Sequence, residues 1–320
     1  MISKKEKLIW MLFGVVLVFL FLLSSTDLII KEEERRIYPI SVIVEDTSDA
    51  SYVNFRKGMD RAAIEKNADV SFITLYEEEN ISQQLALMTR EEQDGAAALV
   101  VVPAGGRESY ERIAASASVP LVMVWAQAGA SLPVPVVTTD FARMGSTLAA
   151  SISVDWAAGV PVYLFGREQD AEGFYAALSR ALEEKGFYPR FIAREAGDTY
   201  RRTLKEMAES GVKRAVAVGM DPESLEELAA ILESDEGLRD CVGALYGRGS
   251  SISILNRLDR GIIRGVCVTD EFSAGYISIW QAVEAVDGSP VNQEAVLESY
   301  YIEKEDLRTS RYEKMLYPIE

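Results

Sequence analysis

Ile40-Ser41-Val42-Ile43-Val44 runs directly into Glu45-Asp46-Thr47-Ser48, and Asp49 to Lys66 then sets Tyr52, Phe55, Met59, Ala62 and Ala63 on one helical face. An unbroken apolar strand, a polar turn and an amphipathic helix form the unit from which the rest of the chain is built. A strand apolar at every position must be buried on both sides. That is the condition of a parallel sheet covered by helices.

The unit recurs downstream as strand Val70–Leu75, helix Ile81–Glu92, strand Ala98–Val102, helix Arg107–Ala117 and strand Leu121–Val124, closed by Val136-Val137. A second series follows the same plan. Helix Phe141–Trp156 leads to strands Val160–Phe165, Tyr188–Ala193, Arg214–Val218, Val242–Tyr246 and Ile262–Val268. Helices Ala171–Lys185, Thr199–Ser210, Pro222–Ser234 and Ile252–Arg260 separate them. Two like series predict two α/β lobes, each Rossmann-like with a parallel sheet. Helix Ala274–Val286 and the segment Ala295–Glu303 are too short for a third domain and are expected to return to the two sheets.

Ligands of open parallel sheets sit beyond the carboxyl ends of the strands, which for two lobes means the cleft between them. The loops expected there are Glu45–Tyr52, Tyr76–Glu79, Pro103–Arg107 and Trp125–Gly129 from the first lobe. The second lobe contributes Gly166–Asp170, Gly219–Asp221, Gly247–Ser251 and Thr269–Glu271.

Upstream of this body, Lys4, Lys5 and Lys7 precede an uncharged apolar run from Leu8 to Thr26. As a helix, that run rises roughly 28 Å, close to the hydrocarbon thickness of a bilayer. Its basic flank would remain cytoplasmic, leaving everything beyond Asp27 outside the cell membrane. The alternative is a signal peptide cleaved near Ser24-Ser25-Thr26. Lys31-Glu32-Glu33-Glu34-Arg35-Arg36 reads as a solvated stalk.

Composition removes other classes. The chain has 320 residues, 33 Lys and Arg against 50 Asp and Glu, and a formal charge of −17, which disfavours nucleic acid as a partner. It contains no histidine, which excludes Ser-His-Asp and Cys-His catalysis and His-ligated zinc. Pro103-Ala104-Gly105-Gly106 lacks the Gly-Lys-Ser/Thr of a phosphate loop. No cofactor, metal or enzymatic activity is expected. Cys241 and Cys267 either pair or stay as two separate buried thiols.

Four stretches in order carry a family likeness. They are Phe55-Arg56-Lys57-Gly58-Met59-Asp60-Arg61-Ala62-Ala63; Ser118-Val119-Pro120-Leu121-Val122-Met123-Val124 with Val137-Thr138-Thr139-Asp140 and Gly145; Glu172-Gly173-Phe174-Tyr175-Ala176-Ala177-Leu178; and Leu258-Asp259-Arg260-Gly261-Ile262-Ile263-Arg264-Gly265 with Gly275-Tyr276. Over residues 38–317 the chain resembles the type I periplasmic-binding-protein superfamily, its ribose- and galactose-binding branch in particular. The tail Tyr301-Ile302-Glu303-Lys304-Glu305-Asp306-Leu307 is similar to that of membrane-tethered Gram-positive members.

The resemblance implies a Venus-flytrap crossed three times by the chain, near Thr138–Asp140, Thr269–Glu271 and Gly288–Val291. The division expected is a tip with transmembrane anchor or signal peptide over 1–27 and a stalk over 28–37. A first lobe would comprise 38–139 plus 271–290, and a second 140–270 plus 291–320. The implied function is an extracytoplasmic, membrane-anchored binding protein for a sugar or sugar-like ligand, serving an ABC-type importer. The alternative is a sensor that passes closure to a membrane receptor kinase.

By the same resemblance Asp49 and Tyr52 match a polar contact and a stacking ring. Trp125 stands where sugar binders carry Asp, Glu168 where an Arg commonly binds hydroxyls, and Met220 where Asn is usual, with Asp221 retained. Arg248 takes the place of an Asp and Thr269 that of a Gln. Chemistry makes the same region a candidate pocket. Tyr52, Trp125 and Tyr246 offer rings for the apolar face of a sugar, while Asp46, Asp49, Gln127, Glu168, Asp221 and Arg248 offer planar polar groups for hydroxyls. Plainer roles compete: Trp125 and Tyr246 as core, Asp49 and Asp140 as helix caps, Arg248 as a solvated loop charge.

Overall fold

The computed structural model describes residues 4–25, 36–46, 52–77, 80–126, 132–167, 173–194 and 199–316. Met1–Ile37 and Tyr38–Glu320 are separate units. The first holds helix α1 (Lys4–Ser25). Within it Lys5–Leu23, 19 residues with mean hydropathy 2.3 and none of them buried, is long and apolar enough to cross a membrane. A signal sequence has the same properties.

The second unit begins with β1 (Tyr38–Ile43), α2 (Val53–Lys66), β2 (Ala68–Ile73), α3 (Ile81–Gln93), β3 (Ala98–Val101), α4 (Glu108–Ser116), β4 (Leu121–Val124) and β5 (Val136–Thr139). It continues with α5 (Phe141–Asp155), β6 (Pro161–Gly166), α6 (Phe174–Glu184), β7 (Tyr188–Ala193), α7 (Tyr200–Glu209), β8 (Ala215–Gly219), α8 (Pro222–Ser234) and α9 (Glu236–Arg239). Then come β9 (Val242–Arg248), α10 (Ile252–Asp259), β10 (Gly265–Thr269), α11 (Glu271–Val286), β11 (Glu294–Leu297), β12 (Ser299–Ile302), a 3-10 turn at Lys304–Arg308 and α12 (Ser310–Leu316).

These strands form two separate six-stranded sheets, ordered β11-β5-β4-β3-β1-β2 and β12-β10-β9-β8-β6-β7. Alternate residues of each strand feed two cores, one on each face. Val42 and Val100 pack beneath α2 and α11, whereas Ile43, Leu99 and Val101 pack beneath α3 and α4. In the second sheet Tyr163 and Phe165 face α7, α8 and α10, while Val162 and Leu164 face α5 and α6. Burial on both faces is what the unbroken apolar runs require. Cys241 and Cys267 fall in different cores of this sheet, and both are free, buried thiols.

Every pairing in the first sheet is parallel. The second has one antiparallel pair, β10 with β12. The direction follows from where the chain changes sheets. β5 ends at Thr139 and Asp140 opens α5, which packs on α6; β10 ends at Thr269 and Asp270 opens α11, which packs on α2. The last passage has no helix. β11 stops at Leu297, Glu298 follows, and β12 starts at Ser299 opposite Thr269, the end of β10. A chain entering the second sheet at its carboxyl end must run away from that end, against its neighbour. This corrects the expected third crossing. Residues 294–297 pair with β5 in the first sheet, so the passage falls at Glu298 and not at Gly288–Val291, and the first lobe extends beyond residue 290.

The α2–α11 contact is unusually close. A Cβ on Gly58 would lie 1.9 Å from the carbonyl oxygen of Phe272, and one on Gly275 1.9 Å from that of Phe55. Only glycine permits these backbones to meet, and the contact fastens α11, which follows a second-sheet strand, onto the first lobe.

Candidate ligand-binding cleft

All three passages lie at the carboxyl ends of the strands, and a cleft of about 330 Å³ opens there between the lobes. That volume is in the range of small-molecule sites. Glu45 and Asp46 follow β1, Trp125 follows β4, Thr139 ends β5, Arg167 follows β6, and Asp221 follows β8. Arg248 ends β9 and Thr269 ends β10, while Glu271 opens α11. Both lobes therefore contribute, each through residues that the sheet itself positions.

The first wall is aromatic. The Tyr52 ring centroid lies 5.9 Å from that of Trp125, which is 5.3 Å from Phe55; Tyr52 also meets Phe72 at 5.8 Å. Tyr52 is only 5% exposed and caps α2 with its backbone. Burial first, then the charges of Glu45 and Asp46, hold its hydroxyl far above the usual tyrosine range, so it remains a hydrogen-bond donor. Trp125 has φ 58, a left-handed conformation that costs a non-glycine residue energy. Its N–H donates to the Val137 carbonyl at 2.6 Å, which fixes this turn. Trp125 thus packs on Phe55 and also lines the cleft, joining the two roles open to it. The neighbouring loop is pinned by the buried Gln84, whose amide donates to the Val102 carbonyl at 2.8 Å and accepts from the Ala104 N–H at 2.8 Å.

The second wall is polar. The Arg248 guanidinium lies 5.6 Å from the ring centroids of both Phe141 and Phe174. No carboxylate stands within ion-pair distance of it among the described residues. Asp221 accepts from the Ser224 N–H and hydroxyl, each at 2.8 Å, so its carboxylate caps α8 while lining the cleft. Glu223 lies 3.7 Å from Arg167 and 3.4 Å from Arg194. Glu271 accepts from the Ser250 hydroxyl at 2.7 Å, and burial pushes its carboxyl up to about 7. The Thr139 hydroxyl, 2% exposed, has no hydrogen-bond partner among the described residues.

Of the residues singled out in the sequence, Asp46, Tyr52, Trp125, Asp221, Arg248 and Thr269 meet in this cleft. Asp49, Gln127 and Glu168 lie outside the described residues. Tyr246 does not supply a ring to the cleft. It is fully buried in the core beneath α5 and α6, and its hydroxyl donates to Asp155 at 2.8 Å. Met220 belongs to the same core. Asp140 caps α5 by accepting from the Arg143 N–H at 2.9 Å. Sequence reasoning passed over Tyr110, Thr139, Arg167, Glu223 and Glu271 as individual groups. The strand-end rule nevertheless reached the loops of Arg167 and Glu271.

Residues 40–290 match the family model described as periplasmic binding protein domain, and the chain belongs to that family, with the type I fold. The family comprises solute-binding proteins. Among solved structures, the chain is similar to a solute-binding protein of an ABC transporter from Agrobacterium vitis bound with alpha-D-tagatopyranose. Identity is 16%, TM-score 0.76, and coverage 88% of this chain and 100% of that one. A glucose-galactose binding protein, GanP, from Geobacillus stearothermophilus is similar at 17% identity and TM-score 0.71, over 86% and 100% of the two chains. A structure of the TorS sensor domain–TorT complex in the absence of ligand matches at 16% identity and TM-score 0.72, over 88% and 98%. No curated protein matches the chain.

Proposed function

We propose that the chain is an extracytoplasmic binding protein, held to the cell membrane by α1, that captures a small polar sugar-like ligand between its lobes and presents it to an ABC-type importer. The observation that carries this reading is the cleft itself. The aromatic pair Tyr52 and Trp125 stands on one lobe and Arg248 on the other, so a single ligand would touch both. A ligand in contact with both lobes stabilises the closed arrangement by its differential affinity, and the three passages absorb the rotation.

A thermal-shift screen of monosaccharides, sugar acids, amino sugars and polyols tests the reading. A ligand at a hundredfold its Kd adds about 2.7 kcal/mol of stability and raises Tm accordingly. No shift with any member would contradict it. The second reading is a sensor that reports closure to a membrane receptor kinase, supported by likeness to the TorT complex. Deleting the gene separates the two: loss of ligand uptake marks the importer, and intact uptake with loss of a ligand-induced transcriptional response marks the sensor.

A further inference from the structure

Most charges lining the cleft are answered within the protein, and the one that is not bears on what fills it. Glu45 and Asp46 act on the Tyr52 hydroxyl, and Arg167, from the second lobe, acts on the same hydroxyl with the opposite sign. That corner holds its own cation and asks for none from a ligand. The carboxylates of the second lobe are also engaged, Asp221 at the start of α8 and Glu223 with Arg167 and Arg194.

Arg248 is the exception. Its guanidinium lies 5.6 Å from the ring centroids of both Phe141 and Phe174, with no carboxylate at ion-pair distance among the described residues. The carboxylate whose charge does reach it is Glu271, which accepts from the Ser250 hydroxyl and is pushed up to about 7 by burial. Near neutral pH Glu271 therefore opposes Arg248 with only part of a negative charge. Guanidinium donates and never accepts, and its planar fork matches a carboxylate. Rings beside it displace water, which makes such a pairing worth more than in open solvent.

A second observation is independent of charge. The Thr139 hydroxyl lines the cleft at the first passage, nearly fully buried, with no hydrogen-bond partner among the described residues. Buried hydroxyls are rarely left so, and a polar ligand atom would satisfy it.

We propose, building on the reading of the chain as a binding protein, that the ligand is a sugar acid: a hydroxylated body set against Tyr52 and Trp125, with one carboxylate paired to Arg248 and a hydroxyl at Thr139. A neutral sugar would leave Arg248 desolvated without an anion when the lobes close, which is costly. A phosphate would bring a second negative charge among the carboxylates of the same cleft, where like charges repel.

The test is isothermal titration of the full chain in detergent micelles. D-Glucuronate, D-gluconate, D-galacturonate and D-galactonate are compared with D-glucose, D-galactose and D-glucose 6-phosphate. At least one acid is expected to bind about tenfold to a hundredfold more tightly than its neutral parent and than the phosphate, the span of one charge-assisted hydrogen-bonded pair. Arg248→Gln should bring that acid down to the level of the parent, and Arg248→Lys should restore part of the loss. Thr139→Val should weaken binding while leaving the Tm of the unliganded protein unchanged or higher, since no bond within the protein is lost. Unchanged far-UV circular dichroism in the unliganded variants separates these effects from misfolding. Each parent sugar binding as tightly as its acids, the phosphate binding tightest, or no acid binding overturns the proposal. In that event a compound from the wider screen still raising Tm keeps the binding reading, and none doing so removes it as well.

Discussion

Trp125 is held in a left-handed backbone conformation while its ring packs on Phe55 and faces the cleft. The backbone strain and the ring's role can be separated by substitution. Trp125→Ala keeps the unfavourable φ, whereas Trp125→Gly relieves it, so the glycine variant should be the more stable by about 1 kcal/mol in urea unfolding. Both should lose the ligand-induced rise in Tm. Glu271 gives a pH signature. Its carboxyl is raised from 4.5 to about 7, by burial first and the charge of Asp270 in addition, against the Ser250 hydrogen bond and Arg248. The folded state then holds a proton that the unfolded chain has released, so stability is fully present below about pH 4.5 and declines as pH rises through 7. Glu271→Gln should flatten the fall in Tm between pH 5 and 8; an unchanged slope would refute this origin. The residues of the cleft divide by how far their type betrays them. Aromatics and an arginine at strand ends stand out in a sequence. The Thr139 hydroxyl and the Glu271 carboxylate look like ordinary cap-adjacent groups until the passages bring them together. Tyr246 misleads because it lies two positions before the end of β9, where the alternating side chains still belong to the core.

The elements were legible where burial is two-sided. β1, β3, β4, β6 and β8 read as apolar runs because helices cover both faces of each sheet. β11 was anticipated only as part of one segment, Ala295–Glu303, because it is a half-exposed edge strand of four residues, Glu-Ala-Val-Leu, separated from β12 by Glu298 alone. The family resemblance put the passage near Gly288–Val291, ahead of β11, which is too early. The antiparallel setting of β12 follows from the true position of that passage and has no local signature. The glycines of α2 and α11 are the opposite case, visible in the sequence yet understood only from packing. Gly275→Val should force the helices apart and cost about 1–3 kcal/mol or more in urea unfolding, as overpacking of a tight contact does. A loss below about 0.5 kcal/mol would show that the contact is looser than the backbone distances state.

At the scale of the whole molecule, two sheets with their own cores meet along three passages at one end of their strands. Such an arrangement has few ways to respond to a ligand other than rotation of one lobe toward the other. The aromatic wall and Arg248 belong to different sheets, so neither lobe alone completes the cleft. Small-angle scattering on the unit Tyr38–Glu320 tests this most directly, with and without the compound that most raises its Tm. The account predicts a smaller radius of gyration on binding, abolished by Trp125→Ala. A compound that raises Tm while leaving the radius of gyration unchanged would contradict it.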